Sequence, residues 1–518
     1  MSERNFFPYY LSDIVDDNVR WAPAKPALIF EDHVITWAGF AAETARIQAG
    51  LAAQGVRRGS RVAILDRNSA DYVLVHYALA GMGAVLVPIN MWLRAAEVGY
   101  ILNNSQPLLL VGGLEFQPLI EAALALVPER PRLILRGTRT QAPEGGLTWT
   151  EFLDAPADRP ISRPSSWEDP HLILYTSGTT GRPKGAVISH RRSIVDGMST
   201  IGAFGIRRSD RFFCYMPLFH TAAWDHMKLY FMQQGSVVLV DRFEAESAVT
   251  AIARHRCTTM FGVPLILRQM LESAAWPKAD LSAMRLVVYA SYDPTNLIGR
   301  VVDAFRERGA SAIGVSQAYG LTEAGPFLTI LRPEEAQLRP MSIGTPVPGV
   351  SVALLDDEGL EVGWGETGEI CVRGPCRMTE YLNRPEASEE AFDGGWFHTG
   401  DLGRIDEDGF LFLVDRKKAM IRTGAENVYA REVELTLLDH PDVRDCAVVG
   451  LPDPDYGEKV AAAVVLVEDR SVTADELSRF VRERIAGFKT PRHVIFVQEL
   501  PKTPSGKIQK HLVRPLFG

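Results

Sequence analysis

Thr176-Ser177-Gly178-Thr179-Thr180-Gly181-Arg182-Pro183-Lys184-Gly185 follows directly on the apolar run His171-Leu172-Ile173-Leu174-Tyr175. An apolar run that gives way to three glycines, four hydroxyl side chains and a lysine within ten residues reads as a buried strand entering a ligand loop. Glycine permits positive φ and brings backbone amides close to a ligand. Hydroxyls and successive N–H groups then surround a polyphosphate, with Lys184 and Arg182 adding positive charge. The run is not a Walker A loop, because Gly178 has no glycine–lysine pair five residues on. Alone, it reads nearly as well as a solvated Gly/Thr turn. Its surroundings decide.

Upstream, helical and strand patterns alternate. Ala38 to Gln54 reads as an amphipathic helix, Arg61–Leu65 as a buried strand, Ala78 to Met82 as helical and Ala84–Pro88 as a second strand. Leu108–Val111 and Arg132–Leu135 continue the series, while residues 137–170, rich in Pro, Gly, Ser and charge, read as a surface excursion. Such alternation implies βαβ units around a largely parallel sheet. A second series runs from about 171 to 330, with strands at Ser236–Val240, Thr258–Phe261 and Leu286–Tyr289. Val350–Leu355 and Gly368–Arg373 then have the character of a small β-barrel or meander. At Val414-Asp415-Arg416-Lys417-Lys418 charge abruptly replaces apolar residues.

The expected fold is therefore α/β. A large N-terminal domain, 1–416, has subregions of about 1–170, 171–330 and 331–416, with parallel αβα sheets followed by the small barrel. A small α+β domain spans 417–518. Its clearest helix starts at Ala474, where Thr473 and Glu476 make a capping box, and runs to Ile485 with Leu477, Phe480, Val481 and Ile485 on one face. Pro501 to Lys510 reads as a mobile polar loop.

At 518 residues, a length that suggests roughly two to four domains, the chain has the 46% apolar and 23% charged content of a soluble globular protein. Its formal charge of −9 argues against a general nucleic-acid binder. The five cysteines, Cys214, Cys257, Cys371, Cys376 and Cys446, form no C-x-x-C pair and suit reduced thiols in a cytoplasmic protein. Cys371 and Cys376 can be drawn as two metal ligands, but no second pair follows, so they read as strand or loop residues. No signal peptide and no membrane-spanning stretch is expected.

Five segments join the phosphate loop: Met216-Pro217-Leu218-Phe219-His220, Tyr319-Gly320-Leu321-Thr322-Glu323, His398-Thr399-Gly400-Asp401, Asp415-Arg416-Lys417-Lys418 through Gly424-Ala425-Glu426-Asn427, and Pro504-Ser505-Gly506-Lys507. In this order and at these separations, from about 30 to 512, the chain resembles the adenylate-forming superfamily of acyl-CoA synthetases, luciferases and stand-alone adenylation domains.

The resemblance implies an ATP-dependent acyl-CoA synthetase, an AMP-forming acid–thiol ligase. A carboxylate attacks the α-phosphorus of ATP, pyrophosphate leaves, and the acyl group passes from the adenylate to the thiol of coenzyme A. Charge building on the phosphates must be neutralised, which is largely electrostatic work. By resemblance, Thr176, Ser177, Gly178, Thr179, Thr180 and Lys184 hold the β- and γ-phosphates. Thr322 hydrogen-bonds the α-phosphate and Glu323 holds Mg²⁺. Tyr319 and Gly320 line the nucleotide site, Asp401 binds ribose, and Arg416 contacts ribose or phosphate. Lys507 stabilises the pentavalent transition state. The small domain rotates about a hinge at Lys418, exchanging Lys507 for the Gly424 loop, which lines the thiol tunnel. His220 serves as a gate between acyl and thiol channels, or alternatively as a packed, hydrogen-bonded histidine.

Departures from the family pattern concern the substrate. Tyr289-Ala290-Ser291-Tyr292-Asp293-Pro294 replaces a run of small residues, so Tyr292 either stacks on adenine or narrows the acyl pocket. Ala425 stands where a second glycine is usual, Ala430 where proline is common, and Ala419 where an acid is frequent. The acyl pocket is expected to draw on His220, Trp224, Phe261, Gly262, Ala290, Gly320 and Tyr292. Histidine rather than aspartate at 220 argues against an α-amino acid, and Trp224 and Phe261 favour an apolar, bulky or aromatic one. A second reading loads an acyl carrier protein supplied by a partner. A third is a non-catalytic nucleotide-binding homologue, which Lys184, Glu323, Asp401 and Lys507 together disfavour. A homodimer is the default assembly.

Overall fold

Continuous apolar runs build the first layer. In a computed structural model, which describes residues 9–137, 145–156, 159–176, 182–290, 297–336, 338–423, 426–454, 457–502 and 508–518, Arg61–Leu65, Val85–Pro88, Leu109–Gly113 and Arg132–Arg136 are parallel strands. They belong to a seven-stranded sheet that ends in the antiparallel pair Pro170–Thr176 and Lys184–Ser189. Strands covered on both faces need apolar residues at successive positions, which is why these runs do not alternate. A nine-stranded sheet contains Arg211–Cys214, Ser236–Leu239, Thr259–Gly262 and Leu286–Tyr289 in parallel, then the antiparallel hairpin Gly314–Leu321 and Gly325–Leu331.

Sheet membership interleaves along the chain. The N-terminal hairpin Pro26–Phe30 and His33–Thr36 forms an edge of the second sheet, through parallel pairing of Pro26–Phe30 with Ser236–Leu239. The strands at 170–189 close the first sheet instead of opening the second. A pairing partner more than two hundred residues away leaves no local trace, so the linear subregions do not coincide with the sheets. The helix Ala70–Met82, with Ser69 as its N-cap, touches strands of both sheets and is buried at every position from Tyr72 to Met82. That burial explains its lack of a polar stripe.

The surface excursion contains order of its own. Thr148 and Glu151 form a capping box on the short helix Trp149–Leu153, and Leu147–Thr148 extends the first sheet by pairing with Arg132–Arg136. The signal Thr-x-x-Glu is in the sequence; the Pro/Gly-rich flanks obscured it. Beyond the second sheet, Ser351–Leu355, Gly368–Arg373, Phe397–Ile405 and Leu411–Arg416 form a four-stranded antiparallel meander.

After Arg416 the turn Lys417–Ala419 leads into a five-stranded sheet with its own core, which includes Ile421, Val433, Leu437, Val448, Val464, Leu477 and Val481. The expected capping box is present at Thr473 and Glu476, and the helix it starts ends at Arg482, one turn short of Ile485. Among the described residues no helix is long and apolar enough to cross a membrane.

Candidate active site

The phosphate-loop candidate leaves one strand and enters the next in register: Thr176 and Lys184 are direct partners of the antiparallel pair. A Cβ on Gly185 would lie 3.1 Å from the Tyr175 ring, so glycine lets that ring cross the neighbouring strand. Ser177, Gly178, Thr179 and Thr180 lie outside the described residues. At the strand end, Thr176 Oγ1 donates to Glu323 Oε1 at 2.7 Å.

Glu323 sits in the turn of the hairpin Gly314–Leu321 and Gly325–Leu331, beside Thr322. Gly320 is required there on steric grounds, because a Cβ would fall 2.3 Å from the Gly325 carbonyl oxygen. The Glu323 carbonyl accepts from Met378 N at 2.7 Å, and the Tyr381 hydroxyl donates to Oε1 at 3.3 Å. Burial, then the Glu323 charge, push the Tyr381 phenol up, so it remains a donor. Lys184 Nζ lies 4.9 Å from the Tyr381 ring centroid. Two hydroxyl donors and no cation thus hold the Glu323 carboxylate among the described residues. A carboxylate in that state fits a hard divalent cation such as Mg²⁺, which prefers oxygen ligands.

Below this corner lies a buried charge cluster that the sequence did not announce. Arg192, on the helix His190–Phe204, pairs with Asp225 at 2.7 Å and donates to the Thr322 carbonyl at 3.4 Å. Lys228 bridges Asp225 and Asp196, the latter at 2.6 Å, and Thr221 Oγ1 donates to Asp225 at 2.6 Å. All four charged side chains are at most 3% exposed. Two cations and two carboxylates balance, and that balance makes such burial tolerable.

Asp401 forms the second acidic corner. Its carboxylate, 2% exposed, accepts from the Tyr319 hydroxyl at 2.7 Å and pairs with Arg416 Nε at 2.5 Å. Asp401 and Arg416 are cross-strand partners in the meander, and Thr399 Oγ1 accepts from the Asp401 amide at 3.1 Å. Burial, then the Asp401 charge, raise the Tyr319 phenol well above its usual range. Because Tyr319 and Gly320 lie on the strand that runs into the turn with Thr322 and Glu323, the hairpin joins the two corners.

The expected acyl-pocket residues divide. Gly262, Tyr289 and Gln317 align across three adjacent parallel strands, which sets Phe261, Gly262, Ala290 and Tyr319 along one carboxyl edge of the sheet. Crevices at such edges are where open α/β sheets bind ligands. His220 is the exposed N-cap of the helix Thr221–Met232, its Nδ1 accepting from Ala222 N at 3.1 Å. Trp224 turns the other way, buried edge-on to His76 with ring centroids 4.3 Å apart. The side chain of that helix that meets Phe261 is His226, at 4.9 Å, with Phe327 at 4.8 Å. Burial lowers the His226 imidazole to about 4. Nothing in a short apolar helix distinguishes Trp224 from His226 until the helix is rotated against the sheet.

Lys418 lies in the turn Lys417–Ala419, where the four-stranded sheet passes into the five-stranded one. Gly424, Lys507 and Tyr292 lie outside the described residues.

A family model for the AMP-binding enzyme matches residues 15–382, and one for the AMP-binding enzyme C-terminal domain matches 432–507. The chain belongs to the AMP-binding enzyme family. A feruloyl-CoA synthase of an Amycolatopsis species is 36% identical, covering 96% of this chain and 97% of its own. A fatty acid–[acyl-carrier-protein] ligase of Streptomyces coeruleorubidus is 35% identical, with 96% and 94% covered. Among solved structures, an anthranilate CoA ligase in complex with anthranoyl-AMP superposes with a TM-score of 0.86 at 29% identity, covering 98% of this chain and 97% of that one.

Proposed function

We propose that this chain is an AMP-forming carboxylate–CoA ligase whose acid is apolar and bulky or aromatic. The carboxylate attacks the α-phosphorus of ATP and pyrophosphate departs. The thiol of coenzyme A then attacks the acyl carbonyl, and AMP leaves. One observation carries the reading: the strand end that opens the Gly/Thr loop touches, through Thr176, the Glu323 carboxylate on a distant hairpin turn. A polyphosphate loop beside a carboxylate that has no cation partner among the described residues suits a nucleotide whose phosphates need neutralising. Mg²⁺ held by Glu323 would supply that neutralisation.

In this reading Thr322 donates to the α-phosphate, while Lys184 with Ser177, Gly178, Thr179 and Thr180 grips the departing pyrophosphate. Asp401 accepts from ribose hydroxyls, with Tyr319 and Arg416 fixing its orientation. Lys507 is delivered for adenylation and the Gly424 loop for thiol transfer, as the small domain turns about Lys418. The acyl group lies along Phe261, Gly262 and Ala290, with His220 at the mouth and Trp224 behind, while Tyr292 either stacks on adenine or narrows this pocket. Ferulic and anthranilic acids, named for two of the relatives, are both aromatic, which supports this class of acid. Free, buried cysteines support a reducing compartment such as the cytoplasm.

The test is a broad carboxylic-acid panel with ATP and coenzyme A, read by mass spectrometry for the thioester. Aromatic or bulky apolar acids are expected to give product; small or α-amino acids giving the best yield would reverse the substrate assignment. The carrier-protein ligase at 35% identity supports a second reading, so holo-carrier proteins belong in the same panel. Acyl-carrier product without acyl-CoA would select it. Lys507→Ala should abolish acid-dependent pyrophosphate exchange while sparing thioester formation from supplied adenylate. An equal loss of both half-reactions would end the rotation scheme.

A further inference from the structure

We propose that Glu369, Cys371 and His398 form a site for a thiophilic divalent cation of the Zn²⁺ class. They lie on the adjacent antiparallel strands Gly368–Arg373 and Phe397–Ile405, where Cys371 and His398 are direct cross-strand partners. Glu369 and Cys371 are two apart on one strand, so their side chains share a sheet face. His398 Nδ1 lies 3.4 Å from Cys371 Sγ and 3.2 Å from Glu369 Oε2, and the three donor atoms lie within 4.8 Å of one another.

A tetrahedral zinc with bonds of about 2.0–2.3 Å holds its ligands about 3.3–3.8 Å apart, so the Cys371–His398 separation falls inside that range and the His398–Glu369 separation lies just short of it. Cys371 is fully buried and Glu369 is 7% exposed, so neither donor is well hydrated. The Gly400 amide donates to Glu369 Oε1 at 3.0 Å, orienting the carboxylate with Oε2 toward the other two donors. A thiolate, an imidazole and one carboxylate are a soft set that selects Zn²⁺ over Mg²⁺. Glu323, whose carboxylate meets hydroxyl oxygens among the described residues, is of the opposite kind.

In the metal-free protein a lysine does the cation's work. Lys417 Nζ lies 3.1 Å from Glu369 Oε2 and 2.9 Å from Asp357 Oδ1. An incoming metal displaces the ammonium, which keeps Asp357 as its partner. Binding to sulfur as thiolate expels the thiol proton to solvent. Asp401 lies three residues beyond His398 on the same strand, and Lys417 opens the turn between the two sheets. The ion therefore ties the strand that carries Asp401 to Gly368–Arg373 and releases Lys417, at the exit from the large domain, from Glu369.

Titrating Co²⁺ into the full-length, chelator-treated protein at about pH 8 tests the site by spectrum, independently of any ligase activity. One equivalent should bring four-coordinate visible bands and a near-ultraviolet thiolate-to-cobalt charge-transfer band, both removed by one equivalent of Zn²⁺. Cys371→Ser should abolish the charge-transfer band and weaken binding by about 100-fold or more, as loss of a ligand does. Lys417→Met, which leaves all three ligands in place, should tighten binding by about 10-fold by removing a competing charge. Cys376→Ser should change neither. Absence of the charge-transfer band in the unmodified chain, its survival in Cys371→Ser, or an affinity untouched by Lys417→Met would overturn the proposal.

Discussion

Glu323 and Asp401 both accept from hydroxyl donors, yet the structure supports them differently. Asp401 is 2% exposed, carries its own guanidinium partner and sits mid-strand in a four-stranded meander. Glu323 is half-buried at a hairpin tip, with two hydroxyl donors and no cation among the described residues. Its footing is Arg192 on the Thr322 carbonyl, and through Arg192 the closed cluster of Asp225, Lys228 and Asp196. A carboxylate already satisfied is suited to orient a ligand's hydroxyls. One left short of positive charge is suited to take a cation, and its position must then be enforced from below.

The largest effect should come from breaking that footing. Asp225→Ala leaves Arg192 and Lys228 buried with one carboxylate between them, at a cost of about 3–5 kcal/mol. Urea unfolding should record it; a loss below 1 kcal/mol would mean the cluster is not a support. Next, Glu323→Gln should lower the turnover of acid-dependent pyrophosphate exchange about 100- to 1,000-fold and raise the Mg²⁺ needed for half-maximal rate. Asp401→Asn should act mainly on KM for ATP, by about 10- to 100-fold, since the role proposed for it is ground-state orientation of the ribose. If both substitutions changed turnover alone, the contrast between the corners would fail.

Acid should separate the corners further. His171 lies at the root of the strand that ends at Thr176, stacked on buried His76, while His190 opens the helix that carries Arg192. Burial, then neighbouring imidazoles, lower His171 well below its usual value; burial first also lowers His76 to about 3 and His190 to about 4. These groups stay neutral in the folded chain but protonate in the unfolded one near 6.5. Their stabilisation is thus complete above pH 6.5 and lost as pH falls from there toward 3–4, at about 1.4 kcal/mol per unit for each group. Urea midpoints should drop between pH 7 and 5, and less steeply in His190→Gln. The smallest effect is expected from Tyr319→Phe, which removes one donor from Asp401: about 1 kcal/mol, or roughly a fivefold rise in KM for ATP.

Much of this was legible in the residues. Apolar runs marked most of the parallel strands to within a residue or two, though not Arg211–Cys214, and Thr473 with Glu476 placed its helix, because caps and strand hydrophobicity are local properties. Assignment of the chain's early strands to sheets was not legible, because Pro26–Phe30 pairs with a strand beyond residue 235. Nor was the direction of Trp224. An apolar helix shows no preferred face until it is packed, and here the one that meets Phe261 carries His226.

The sequence by itself determined the family, the reaction class it implies and the order of the site's parts. Glycines, hydroxyls and charges at short spacings declare their chemistry without knowing their neighbours. Only the tertiary structure decided that Thr176 meets Glu323, 147 residues away, and that four buried charges support that meeting. It also separated Cys371 from Cys376 as candidate ligands, by setting Cys371 opposite His398 and beside Glu369. Cross-strand register makes such neighbours. A shift of one residue would turn them to opposite faces, and no short stretch of sequence records which register the sheet adopts.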